Sequence, residues 1–196
     1  IHEGFCTYSE ALYVECMYGY DQMLEYVNNQ KRFIRNKSPI VGCYHVNHQG
    51  SGDMYQKASV MLHTLRTLIN NDQLWFSIIR EISDNFKYKT INASDIMTFI
   101  MQRTEKDLTV FFSQYLNNVK LPEFQYQLIK EGRNTTIKYR WEAIDMFDMP
   151  LLVNSGNEDF WIYPNNSWKE MSLGKIDSRE FSVKEELFLL DIKKVK

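Results

Sequence analysis

Two periodicities divide the chain. Up to about residue 118 apolar side chains recur at helical spacing, and beyond Lys120-Leu121-Pro122 they alternate one for one with polar side chains. The first segment, Phe5 to Tyr18, is apolar around nearly its whole helical circumference, with Phe5, Leu12 and Cys16 on one side and Val14, Met17 and Tyr18 on the other. That pattern predicts a buried helix ending at Gly19. A second helix, capped by Asp21, is expected to run to about Arg35 with Met23, Val27 and Ile34 inward, and Ser38-Pro39 stops it.

A short, partly extended loop follows and carries His45 and His48, closing in Gln49-Gly50-Ser51-Gly52. Asp53 is then expected to open a helix from Met54 to about Asn70, with Met54, Ala58, Met61, Leu65 and Leu68 as the buried stripe. His63 falls opposite that stripe, which predicts a solvated histidine. Further helices are expected from Asp72 to about Phe86, from Asn92 with Asp95 as a capping box, and from Asp107 through Val110, Phe111, Phe112, Tyr115 and Leu116.

Past residue 120 the pattern reads as strands. Phe124, Tyr126 and Leu128 alternate with glutamines, and after a turn at 131–134 Ile137, Tyr139 and Trp141 alternate with Lys138, Arg140 and Glu142. Shorter strands are expected near 151–153, 160–163, 168–173, 180–183 and 187–192. The fold class is therefore α+β, a helical domain over 1–119 and a small antiparallel β-sandwich over 120–196.

Composition narrows the function. With 44% hydrophobic and 14% aromatic residues the 196-residue chain is not disordered, and a net charge of −2 gives no electrostatic footprint for nucleic acid or an anionic membrane. No apolar run is long enough to insert in a membrane. Cys6, Cys16 and Cys43 form no CxxC pair, and helical rise sets Cys6 and Cys16 about 15 Å apart, too far to bridge. The compartment stays open.

Candidate chemistry sits in the first helix. Glu3, Thr7 and Glu10 fall on one line at i, i+4 and i+7, and a carboxylate inside a core needs a cation or a metal. Glu3 is thus either a metal ligand or half of an ion pair, and Glu10 reads as an acceptor that orients another group. His2 points about 100° away from Glu3 and is an ordinary histidine. His45 and His48 lack acidic or thiol company beyond Asp53, so they read as loop histidines. Tyr55 stands at a helix start beside the Gly-Ser-Gly loop. The sequence begins without Met or a capping residue, which reads as a piece of a longer protein.

A resemblance adds to these readings. His2-Glu3-Gly4-Phe5-Cys6-Thr7-Tyr8, running on to Glu10, resembles the N-E-G-F-A-x-Y-x-E helix of the aminopeptidase N family of zinc metallopeptidases, the gluzincins. Tyr55-Gln56-Lys57-Ala58 with Met61-Leu62 and Leu65-Arg66 is similar to that family's Y-x-K-G…M-L…L-R segment. Trp75-Phe76, Thr90 to Phe99, and Phe111-Phe112-Ser113-Gln114-Tyr115-Leu116 resemble three further family segments in order.

The resemblance implies the C-terminal, all-helical half of a thermolysin-like catalytic domain followed by a β-sandwich, as in bacterial members. It implies a peptide substrate, zinc in the parent protein, Glu3 as the carboxylate ligand, Tyr55 as the oxyanion stabiliser and Glu10 as a carboxylate fixing a ligand histidine. The sequence contains no H-E-x-x-H and no G-x-M-E-N, so the implied remainder of the catalytic domain lies upstream and the fragment is expected to be inactive and zinc-free. Two other readings stand beside it. One is a non-catalytic, peptidase-like scaffold that binds peptide or protein; the other is an unrelated helical module with a sandwich, in which Glu3 pairs with an arginine.

Overall fold

The computed structural model describes residues 1–43, 46, 50–156, 158–177 and 179–195. They form an α+β fold that divides into two compact units, Ile1–Val119 and Lys120–Lys196. Among the described residues, six α-helices lie in the first unit: α1 (His2–Tyr18), α2 (Tyr20–Gln30), α3 (Gln56–Ile69), α4 (Asp72–Phe86), α5 (Ala93–Thr104) and α6 (Thr109–Asn117).

The centre of this unit is α3, not the first helix. Every residue from Lys57 to Arg66 is buried, as are Leu68 and Ile69, because α1, α2, α4 and α6 all pack around the helix. The expected stripe of Ala58, Met61, Leu65 and Leu68 is inside. So is His63, at 1% exposure, which corrects the expectation of a solvated side chain. A helix enclosed on all sides has no solvent face for its polar residues.

The opposite correction applies to α1. Only Gly4, Tyr8 and Ala11, one stripe at i, i+4 and i+7, are buried where the helix rests on α2 and α3. Tyr13, Met17 and Tyr18 are 63%, 54% and 69% exposed. A full circle of apolar residues does not say which arc is covered, and here one arc is.

Gly19 joins α1 to α2 in a single residue. Its φ of +93° suits a residue without a side chain, its N–H closes on Glu15 O at 2.9 Å, and its carbonyl accepts from Met23 N at 3.2 Å. Asp21, expected as the cap, therefore falls in the first turn of α2, and the α-helix stops at Gln30 before a single 3-10 turn. The starts of α4 and α5 follow the sequence: Asn71 accepts from Leu74 N at 3.0 Å, and the Asn92/Asp95 capping box is formed.

The second unit holds seven strands among the described residues: β1 (Glu123–Glu131), β2 (Asn134–Glu142), β3 (Leu151–Ser155), β4 (Glu158–Ile162), β5 (Lys169–Gly174), β6 (Phe181–Val183) and β7 (Asp191–Lys194). β1 and β2 form a hairpin in register from Glu123↔Glu142 to Glu131↔Asn134, turning at Gly132. Along β2, Thr135, Ile137, Tyr139 and Trp141 are buried and the residues between them are not, the period-2 pattern of a half-buried strand.

The strands make two sheets, ordered β5-β2-β1-β7 and β4-β3-β6. Tyr126 and Phe181 meet across them with ring centroids 5.3 Å apart, and Trp141 donates its indole N–H to Met149 O at 2.9 Å. The expected all-antiparallel pairing fails at one edge, where β7 runs parallel to β1. Alternation of apolar residues carries no information about strand direction.

Candidate active site

Glu3 lies in the first turn of α1, where the unpaired N–H groups of the helix favour a carboxylate. Its side chain is 31% exposed and pairs with His2, Nε2 to Oε1 at 3.3 Å. The pair involves an exposed imidazole and contributes little to stability. It is also not the arginine partner that the unrelated-module reading calls for.

The next residue fixes where this turn sits. A Cβ built on Gly4 would lie 2.5 Å from the Cβ of Ala58, so α1 approaches α3 more closely here than any side chain would permit. The need for glycine is steric, not conformational. Glu3 immediately precedes that crossing on α1, and Tyr55 precedes Ala58 by three residues on the other chain segment.

Tyr55 is half-buried and occupies the junction between a 3-10 turn, Gly52–Met54, and α3. Its φ and ψ are −88° and −83°; its N–H bonds to Gly52 O at 3.3 Å and its carbonyl accepts from Ser59 N at 2.9 Å. Tyr55 itself, and not Asp53, holds the capping position of α3. The carboxylate of Asp53 turns away from the helix and accepts from Arg35 N at 2.8 Å and Asn36 N at 2.7 Å. Sequence reading missed this use because the partners are backbone groups of a distant loop.

On the other side of Tyr55, Lys57 is fully buried and its ammonium donates to Asn118 O at 2.9 Å and Val119 O at 3.1 Å. Burial draws its pKa down, opposed by the charge of Asp53.

Glu10 is exposed, which corrects the expectation of a buried carboxylate line. It accepts from the hydroxyl of Tyr26 at 2.7 Å, a bond to the neutral phenol that raises the Tyr26 pKa. His45 and His48 lie outside the described residues. Among the described residues no three His, Cys, Asp or Glu side chains come together as a metal site. A catalytic zinc takes three protein ligands, so the described residues do not by themselves supply a zinc site.

Arg66, quoted above only as part of a segment, has partners that the sequence reading did not assign. Its guanidinium is buried in a fork between Glu15 of α1 and Asp72 of α4, with bonds of 2.8 Å to Glu15 Oε1 and 2.8 Å to Asp72 Oδ1, and it lies 5.6 Å and 5.1 Å from the ring centroids of Tyr20 and Phe76. A signal existed, since an arginine inside an apolar helix needs carboxylates. A cavity of about 310 Å³ between α5 and α6, lined by Met97, Met101, Phe112 and Leu116 among others, includes neither Glu3 nor Tyr55.

No family model and no curated protein sequence matches the chain. Among solved structures it is similar to the aminopeptidase A of Legionella pneumophila, determined in complex with aspartic acid, with a TM-score of 0.71 and 14% identity. The match covers 99% of this chain and 24% of that one, so the chain spans about a quarter of the length of the aminopeptidase it resembles. At this identity the likeness shows the fold alone.

Proposed function

We propose that residues 1–119 are the C-terminal part of the catalytic domain of a zinc aminopeptidase of the aminopeptidase N type, that residues 120–196 are its β-sandwich domain, and that the parent protein removes N-terminal residues from peptides. The observation that carries this is the crossing of α1 on α3 at Gly4 and Ala58, in a fold shared with an aminopeptidase. It supports a carboxylate, Glu3, and a phenol, Tyr55, serving one centre from two helices.

In this reading Glu3 contributes one ligand and residues beyond these 196 contribute the others. Zinc, when bound, supplies Lewis acidity at the reacting carbonyl. Tyr55 donates its hydroxyl to the oxygen that gains negative charge as the scissile amide becomes tetrahedral, a donor worth about 3 kcal/mol in comparable sites. Glu10, which already accepts a hydrogen bond from Tyr26, is the acceptor that orients a neighbouring ligand.

The test uses the full-length parent protein, with zinc per chain and hydrolysis of an aminoacyl-4-nitroanilide measured for wild type, Glu3→Ala and Tyr55→Phe. Wild type is expected to hold one zinc and turn over, Glu3→Ala to lose both, and Tyr55→Phe to keep zinc while kcat falls by about a hundredfold or more. A wild type that holds no zinc and cleaves nothing overturns the reading and leaves a peptide-binding scaffold in its place.

A further inference from the structure

We propose that Asp53 and Lys57 are positioning residues for Tyr55, clamping the backbone two residues before it and two residues after it. The inference rests on Tyr55 having the role given above, and neither side chain is assigned any contact with substrate. Asp53 is 2% exposed and Lys57 0% exposed, so both charges lie inside the helical unit. Each directs its bonds to main-chain groups of a separate segment: Asp53 accepts two N–H bonds from residues 35 and 36, and Lys57 donates to the carbonyls of residues 118 and 119.

Charge-assisted bonds of this kind are short and directional. The Asp53 carboxylate holds Asn36 with its N–H turned inward, although the residue's φ of +48° is unusual for a side chain-bearing residue. The Lys57 ammonium sits where α6 has just ended, at the carbonyl-rich and partly negative end of a helix.

Between these anchors lies the one peptide unit at which a 3-10 turn becomes α3, and Tyr55 occupies it with a ψ of −83°. Apolar residues in place of two buried charges are often no less stable. What the charges add is a fixed direction for the Cα–Cβ bond of Tyr55, and with it the path of the hydroxyl.

The experiment is a double-mutant cycle in the full-length protein: Asp53→Asn and Lys57→Met, each in the wild-type and in the Tyr55→Phe background, with kcat, KM and zinc content measured. In the wild-type background each substitution is expected to lower kcat about tenfold or more, with KM and zinc unchanged, since a misplacement near 1 Å is enough for such a loss. In the Tyr55→Phe background the same substitutions are expected to change kcat less than about twofold, because the group they position is gone. Equal losses in both backgrounds, or no loss in either, overturn the proposal.

Amide hydrogen exchange on the same variants separates this proposal from the reading of Tyr55 itself. Asp53→Asn and Lys57→Met are each expected to lower protection over residues 51–58 while leaving 62–69 unchanged. Unchanged protection over 51–58 rejects the clamp whatever the kinetics show. A Tyr55→Phe protein with full activity rejects the oxyanion role and, with it, the proposed positioning function. Should Asp53→Asn lose protection everywhere, Lys57→Met decides the matter by the same two measurements.

Discussion

α1 and α3 invert each other. α1 is the more uniformly apolar of the two, yet only Gly4, Tyr8 and Ala11 are buried; α3 carries a lysine, a histidine and an arginine, and its whole span from Lys57 to Arg66 is inside. The difference lies in what surrounds each helix. α3 is enclosed by four others, and its polar groups are either satisfied there, as Lys57 and Arg66 are, or held neutral, as His63 is. Burial is thus a property of the neighbours, and polarity within a helix marks solvent only when no partner is at hand.

The largest test of that contrast is Arg66→Met in the 196-residue chain. Removing the guanidinium strands Glu15, which is mostly buried, while Asp72 is mostly exposed and rehydrates. One stranded buried charge sets the expected loss near the lower end for a broken buried pair, about 3 kcal/mol, read from urea unfolding. A loss under about 1 kcal/mol would mean that the fork is no more than a surface network.

His63 gives the next effect through pH. Neither ring nitrogen has a hydrogen-bond partner among the described residues, and burial, reinforced by the cations of Arg66 and Lys31, lowers its pKa from 6.5 to about 4, with Asp72 opposing. Tyr8 of α1 and Tyr20 of α2 are the rings beside it. The unfolded chain therefore binds the proton first, so this contribution to stability is complete above pH 6.5 and is lost as pH falls towards about 4. The loss amounts to about 3 kcal/mol at most, since one pKa unit corresponds to about 1.4 kcal/mol. His63→Phe is expected to flatten the wild-type slope of unfolding free energy over that window; parallel slopes for the two proteins would show that His63 titrates as a solvated group.

What could be read from sequence follows the same line. The strands of the second unit were legible because one face of a sheet is wet, so Ile137, Tyr139 and Trp141 declare the buried face by alternation alone; the parallel partner of β1 was not, because pairing direction leaves no trace in that alternation. The start of α4 at Asp72 and the Asn92/Asp95 box were legible because caps are local; the capping of α4 by Asn71 was not among the expectations. Asp53 reads as a cap from sequence and Lys57 as a segment residue with no partner, because their partners lie 17 to 18 and 61 to 62 residues away. Glu3 and Tyr55 could be singled out by type and position, but their relation depends on the approach of Gly4 to Ala58, and a glycine in a helix does not say which residue it meets.

The smallest effect is expected on the outer arc of α1. Tyr13 and Met17 stand one turn apart, and at 63% and 54% exposure neither gains much from the fold that the unfolded chain lacks. Tyr13→Ser and Met17→Ser should each shift unfolding free energy of the 196-residue chain by no more than about 0.5 kcal/mol, the usual range for surface positions, although the same changes at buried positions of α3 would cost several times that. The measurement gains force from concentration. If either substitution costs more than about 1 kcal/mol and the cost grows with protein concentration, a second copy covers the arc; if the cost is large and independent of concentration, the arc is packed within the chain and the contrast between the two helices fails.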